Sequence, residues 1–261
     1  QNKIEPKSYL ECLKESIKCH HNEIARYLLD NYIQNDDKLL NNSLRYFNFC
    51  FIKKEINPAN FLSKFCKYGY YNVVETVVKK HELILPNDKN GKSLLYLAAK
   101  NDNFEIINFL LKNKICKFDE NSFNGCNKLT KIEIPSTSTV VMPSAFEGCT
   151  NLFDLKIPST ITMFCKNAFN RCTFLANIVI PPSVVKIDEG VFSECLSLVN
   201  IEIPSSVKSI GKYAFYKCVS LETVNIHSQI TKLEKKVFYD CMSLKEFSIP
   251  SSVVSIKEKA F

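Results

Sequence analysis

Cysteine can ligate a metal, form a disulfide or act as a nucleophile, and six of them recur in this chain at intervals of 23: Cys126, Cys149, Cys172, Cys195, Cys218 and Cys241. Zinc needs four ligands converging on a tetrahedron, commonly supplied by Cys-x-x-Cys pairs, and the chain has no such pair. One cysteine per repeat would instead stand in a straight row with steps of about 4.8 Å, the spacing of β-strands. A straight row cannot converge on one ion. Disulfides between neighbouring repeats are within Cα reach, although six equivalent positions could pair only by breaking their equivalence. Treating all six alike makes each a small buried hydrophobe, with disulfides as the alternative. On that reading a serine at 195 would bury a hydroxyl with no assured partner.

The remaining reactive residues form no better constellation. Cys19, His20 and His21, with Cys12 nearby, could suggest a metal, but they align with Tyr68-Gly69-Tyr70 and Asn101-Asp102-Asn103, where a turn joins two helices. The four histidines include none placed with Ser and Asp, or Cys and Asp, as a catalytic triad needs. Six glycines, never two in one loop, leave no Gly-rich phosphate cradle. Carboxylates are scattered rather than paired, and the sequon at Asn41 falls in an expected helix. These residues predict no catalytic site, no metal, no cofactor and no small-molecule substrate: the chain reads as a non-enzyme.

What positions the cysteines is a repeat. Phe123, Phe146, Phe169, Phe192, Phe215, Phe238 and Phe261 are 23 apart, as are Leu129, Leu152, Leu175, Leu198, Leu221 and Leu244. In "LVNIEIP", Ile201 and Ile203 alternate with Asn200 and Glu202, the period-two mark of a short strand with one buried face. Pro204 ends that strand because it has no N–H to donate. Val207 and Ile210 turn back inward, and Ala214, Phe215 and Cys218 have the spacing of a short helical turn. One unit cannot bury its apolar set alone; stacked units can. In five of six units proline follows the strand, at 135, 158, 181, 204 and 250, with His227 in its place in the other.

From Ile115 to Phe261 this pattern resembles the BspA-like leucine-rich repeats, whose units read roughly "IPxSVxxIGxxAFxxCxxLxxI". The resemblance implies a right-handed solenoid with strands lining one face. It also implies a surface protein that adheres to host or matrix proteins. The chain departs from the pattern at its glycine, present only as Gly211, with Cys165, Asp188, Glu234 and Lys257 in the equivalent places.

The N-terminal part repeats more loosely. "NGKSLLYLAAKNDNFEIINFLLKN" (Asn90 to Asn113) resembles an ankyrin repeat, and a shift of 33, the ankyrin period, brings Lys67 under Lys100 and Val77 under Leu110. Tyr9 to Asn113 is expected to hold three or four helix pairs, atypical at the start. Counting back from Phe123, Phe118 takes the place of Ile210 and Ile115 that of Val207, so solenoid register begins two residues after Asn113. With no Gly/Ser/Pro linker between them, the arrays should abut as one continuous rod. The expected fold is thus an α+β repeat solenoid. Ankyrin-like helices occupy residues 1–113, and a leucine-rich repeat solenoid of six 23-residue units with a parallel β-sheet face occupies 114–261.

The net charge of +7 is uneven, +6 over residues 1–118 and +1 beyond. A mild spread of charge is not the clustered basic face that nucleic acid requires, and no apolar run is long enough to span a membrane. Twelve cysteines without a disulfide pattern, and no signal peptide at the start, point to the cytoplasm, whereas the family resemblance points to the cell surface. The start at Gln1 and the stop at Phe261 within a repeat suggest a fragment.

What is left for function is surface. Alternation turns Lys131 and Glu133, Asp154 and Lys156, Asn177 and Val179, Asn200 and Glu202 outward. On neighbouring rungs Phe153, Ala176, Val179 and Val199 form a candidate apolar patch, with Lys156 and Glu202 beside it; such patches mark partner sites. The opposing expectation is that residues just before a strand turn partly inward. On the helical part, the loop around Asn87 to Lys92 is a second expected contact region. The chain is therefore expected to be a protein-binding scaffold, for adhesion or as a cytosolic adaptor.

Overall fold

The computed structural model of the chain describes residues 62–81, 93–116 and 118–261. The cysteine–histidine cluster at Cys19 to His21, the sequon at Asn41, the earliest helix pairs and the loop at Asn87 to Lys92 lie outside those residues. The chain forms two compact units, Gln1–Glu82 and Leu83–Phe261.

In the first unit, α1 (Leu62–Tyr68) and α2 (Tyr71–His81) form an antiparallel pair. Gly69 makes the turn between them at φ +81°, a conformation that costs glycine nothing. Leu62, Phe65 and Cys66 from α1 are buried, as are Tyr70, Val74 and Val78 at and beyond the turn. The spacing of the last three is that of a single helix face.

The second unit begins, among the described residues, with another such pair: α3 (Leu94–Ala99) and α4 (Phe104–Lys112). Ser93 caps α3, its hydroxyl accepting from the Tyr96 N–H at 3.1 Å. Asp102 turns the chain at φ +57°. This pair packs on the solenoid directly. The Asp102 carboxylate accepts from the Thr130 N–H at 2.9 Å and its hydroxyl at 2.8 Å, the Lys100 ammonium donates to the Gly125 carbonyl at 2.9 Å, and Lys131 Nζ lies 4.1 Å from the centre of the Phe104 ring. Phe118 sits 5.5 Å from the Phe146 ring, much as Phe164 sits 5.9 Å from Phe192 two repeats further on. The register expected from Phe118 is therefore present, and the last helix pair shares a compact unit with the solenoid.

The solenoid stacks rungs of 23 residues, here counted from each phenylalanine: rung 1 is 123–145, rung 2 is 146–168, and so on to rung 6 at 238–260. Every rung has up to two strands, each pairing in parallel with its neighbour's. The first strands are β1 (Lys131–Glu133), β3 (Asp154–Lys156), β6 (Asn200–Ile203), β8 (Thr223–Ile226) and β10 (Glu246–Phe247). The second are β2 (Val140–Val141), β4 (Met163–Phe164), β5 (Lys186–Ile187), β7 (Ser209–Ile210), β9 (Lys232–Leu233) and β11 (Ser255–Ile256). The second set was not expected. It is too short for an alternation signal, because two residues carry only one inward side chain.

The segment around each phenylalanine is a turn rather than the short helix its spacing suggests. Residues two before and two after the phenylalanine are left-handed; Tyr213 at φ +61° and Lys217 at φ +57° flank Phe215. Such residues cost about 1 kcal/mol or more each when they are not glycine. What offsets that cost is a third ladder between rungs: the N–H groups of Tyr213, Phe215 and Lys217 donate to Lys235, Val237 and Tyr239 carbonyls at 3.0, 2.9 and 2.8 Å. Inside this ladder the phenylalanine rings stack. Phe146 and Phe169 are 5.4 Å apart and within 2° of parallel, and neighbouring pairs from Phe123 to Phe238 lie 5.3–5.6 Å apart.

The cysteines stand beside this stack and are all free thiols among the described residues. Cys149, Cys172, Cys195, Cys218 and Cys241 each donate to the phenylalanine carbonyl of the rung before, at 3.0–3.2 Å. They fill the core, as expected, and act as hydrogen-bond donors in it.

Three rung contacts lack one strand ladder: 2–3 and 3–4 in the first sheet, 4–5 in the second. In the first sheet, β1 pairs only β3 and a separate sheet runs β10-β8-β6, because rung 3 has no first strand. In the second, β2-β4-β5-β7 is separate from β9-β11. No contact loses both strand ladders, and the rings and cysteines remain continuous through all three.

Candidate protein-binding face

The first strands place alternate residues outward. Lys131, Glu133, Asp154, Lys156, Asn200, Glu202 and Asn225 are exposed, while Ile132, Ile201, Ile203 and Val224 between them are buried. Of the six residues the sequence singled out, Phe153, Lys156, Val179 and Glu202 are exposed, Phe153 to 61% and Val179 to 83%. Ala176 and Val199 are half-buried. These two turn partly inward, as the opposing expectation had it, whereas Phe153 in the equivalent place on rung 2 does not. The Val199 N–H donates to the Ala176 carbonyl at 3.1 Å, and its carbonyl accepts from the Glu222 N–H at 2.8 Å.

Phe153, Lys156 and Val179 meet at the missing strand. Between rungs 2 and 3 lies an open hollow of about 500 Å³. Phe153, Leu155, Ile157, Ile178, Val179, Pro181 and Pro182 form its apolar lining, and Asp154, Lys156, Ser159 and Asn177 its polar edge. Ala176, Val199 and Glu202 lie outside it. Leu155, Ile157 and Ile178 are only half-buried here, although their counterparts Ile132, Ile134 and Ile201 are buried. The hollow therefore exposes side chains that elsewhere belong to the core.

Its origin is partly readable in the sequence. Where the proline of rungs 1, 2, 4 and 6 is followed by serine, rung 3 has Pro181-Pro182. Proline at 182 confines Pro181 to extended conformations and removes a further N–H. Val179 also stands where the other rungs carry a charged or polar side chain. Sequence alone missed Leu155, Ile157 and Ile178, because alternation assigns them to the interior.

The electrostatics are mixed. Asp154 and Lys156 join no ion pair among the described residues, whereas most other pairs bridge adjacent rungs: Glu189 binds both Lys166 at 3.3 Å and Lys212 at 3.4 Å, and Arg171 binds Glu194 at 3.2 Å. Among the described residues no group of three or more His, Cys, Asp or Glu side chains could hold a metal ion. No described helix is long and apolar enough to cross a membrane.

The sequence family described as BspA type leucine rich repeat region matches the chain over residues 98–208 and 165–261, in six copies. This chain belongs to that family. Ankyrin repeats match in three copies over residues 37–122, covering both described helix pairs and ending one residue before the first rung. Among solved structures, this BspA-type chain is similar to a Treponema pallidum leucine-rich repeat protein, at 35% identity over 53% of this chain and 64% of that one, with a TM-score of 0.51. It is also similar to a leucine-rich repeat protein from Bacteroides ovatus, at 33% identity over 54% of this chain and 37% of that one, with a TM-score of 0.53. The chain thus spans less than two thirds of either structure. No curated protein matches it. Leucine-rich and ankyrin repeats together make this BspA-type chain a protein–protein interaction scaffold.

Proposed function

We propose that the scaffold binds its partner through the first-strand face, with Phe153, Lys156, Ala176, Val179, Val199 and Glu202 on or beside the contact, and that the partner is a host or matrix protein met at the cell surface. The observation that carries this reading is the pairing of two large exposed apolar side chains, Phe153 and Val179, on adjacent rungs held together by the second-strand and turn ladders. An ordered face loses little entropy on binding, and an exposed apolar cluster rimmed by charge is how partner sites are built.

A photo-crosslinking residue at Val179, compared with one at Val185 beside the second sheet, tests the face. Partner adducts from 179 and none from 185 are expected; adducts from 185 alone would move the contact to the other sheet. A second reading, a cytosolic adaptor, draws on the free buried thiols, which suit a reducing compartment. A membrane-impermeant amine label on intact cells of the source organism separates the two. Labelled lysines place the partner outside, and labelling only after lysis places it inside.

A further inference from the structure

We infer that the hollow between rungs 2 and 3 receives an extended peptide segment of the partner, held as an added strand through main-chain hydrogen bonds. This rests on the protein-binding reading and goes beyond it, since a flat face could equally meet a folded surface through side chains alone.

The argument is an accounting of backbone groups. Asn177, Ile178, Val179 and Ile180 form no backbone hydrogen bond with either neighbouring rung, so the N–H and C=O groups of four consecutive residues stand outside every ladder. The opposite wall is also open. Ile132↔Leu155 register and the bonds Asp154 N–H to Thr130 and Ile134 N–H to Lys156 use the backbone of Asp154 and Lys156 toward rung 1. Alternation in a parallel ladder then turns Leu155 and Ile157 toward rung 3, where β3 has no partner strand. One unpaired strand edge and one unpaired stretch of backbone thus flank the hollow.

Exposed edges of this kind template pairing with another chain, and peptide recognition by strand addition takes its affinity from main-chain bonds and its specificity from side-chain pockets. Both are present here. The floor of Leu155, Ile157, Ile178 and Pro181 suits one large apolar side chain, and the volume lies within the range of pre-formed ligand sites. At the rim, the Asp154 carboxylate and Lys156 ammonium, neither in an ion pair among the described residues, suit a segment with a basic and an acidic residue flanking the apolar one. The β6 edge facing rung 3 is likewise unpaired, but the hollow opens on the rung 2 side, its lining drawn from residues 153–159 and 177–182.

The test is a displayed library of random heptapeptides selected on the whole chain, followed by binding of the enriched peptide in solution and backbone hydrogen exchange. Enriched peptides should carry a central apolar residue between opposite charges. Binding should weaken at least about tenfold on N-methylation of alternate peptide bonds, the cost of about one charge-free hydrogen bond, and similarly in Val179→Glu, whose side chain is exposed and whose fold should stand. Exchange at the amides of Leu155, Ile157 and Ile178 to Ile180 should slow in the complex. Equal binding by the N-methylated peptides, or no slowing at those amides, overturns strand addition. So does failure to enrich any peptide, and so does a dimer of this chain that Val179→Glu abolishes. If the photo-crosslinker at 179 still captures a partner in those cases, the protein-binding face survives and only the peptide mode falls.

Discussion

The Cys195 thiol donates a hydrogen bond to the Phe169 carbonyl of the preceding rung at 3.2 Å, and the same bond recurs from Cys149, Cys172, Cys218 and Cys241. The repeated cysteine is therefore a buried apolar atom and a donor at once. A serine at 195 was expected to bury a hydroxyl with no assured partner; the Phe169 carbonyl is that partner.

Cys195→Ser should accordingly destabilise the solenoid by only about 1 kcal/mol, while Cys195→Ala, which takes one of two donors from the Phe169 carbonyl (the Cys172 N–H at 3.1 Å remains) and leaves a small cavity, should cost about 1–3 kcal/mol. Urea unfolding of both variants checks the order. If serine costs more than alanine, the thiol acts by packing alone.

Burial pushes the Cys195 thiol up to about 12 from an ordinary value of 9.0, and raises Cys172 and Cys218 in the same direction. The unfolded chain releases these protons first, so stability present below about pH 9 should be lost as pH rises toward 12. Unfolding midpoints measured across that window should fall, and Cys195→Ala should fall less steeply than the parent. A slope unaffected by that substitution would mean Cys195 does not titrate in this way.

At the helix–solenoid contact, the Asp102 carboxylate holds both the N–H and the hydroxyl of Thr130. Asp102→Ala should cost about 1–3 kcal/mol and speed hydrogen exchange in α3 and α4 more than in rungs 3 to 6. Uniform acceleration over the whole unit would show that the helix pair and solenoid unfold as one.

His227 stands where five of the six rungs have proline, and its N–H donates to the Ile203 carbonyl at 2.9 Å, joining rungs 4 and 5 beyond the end of β8. Restoring the repeat with His227→Pro should therefore destabilise, by about 0.5–1.5 kcal/mol, although it brings the sequence closer to its own pattern. A stabilised variant in thermal unfolding would mean that this bond contributes nothing net.

The sequence by itself determined the rung. A period of 23 with phenylalanine, cysteine and leucine at fixed places can bury its apolar set only by stacking, and Phe118 showed where the stack begins. That logic is local and repetitive, so it is legible without coordinates. The ankyrin-type helices were legible for the same reason, from Leu94 to Lys112 most clearly. Three things were decided by tertiary structure. The turns around each phenylalanine are left-handed at two residues because a ladder to the next rung compensates them, and helical spacing carries no trace of that. The thiols found acceptors that belong to another rung, 26 residues away in sequence. The strand face opened at rung 3, where Pro181-Pro182 and Val179 left signs in the sequence but the half-burial of Leu155, Ile157 and Ile178 did not. Alternation states which side of a strand a residue faces; whether the neighbouring strand is there to cover it depends on how two rungs meet.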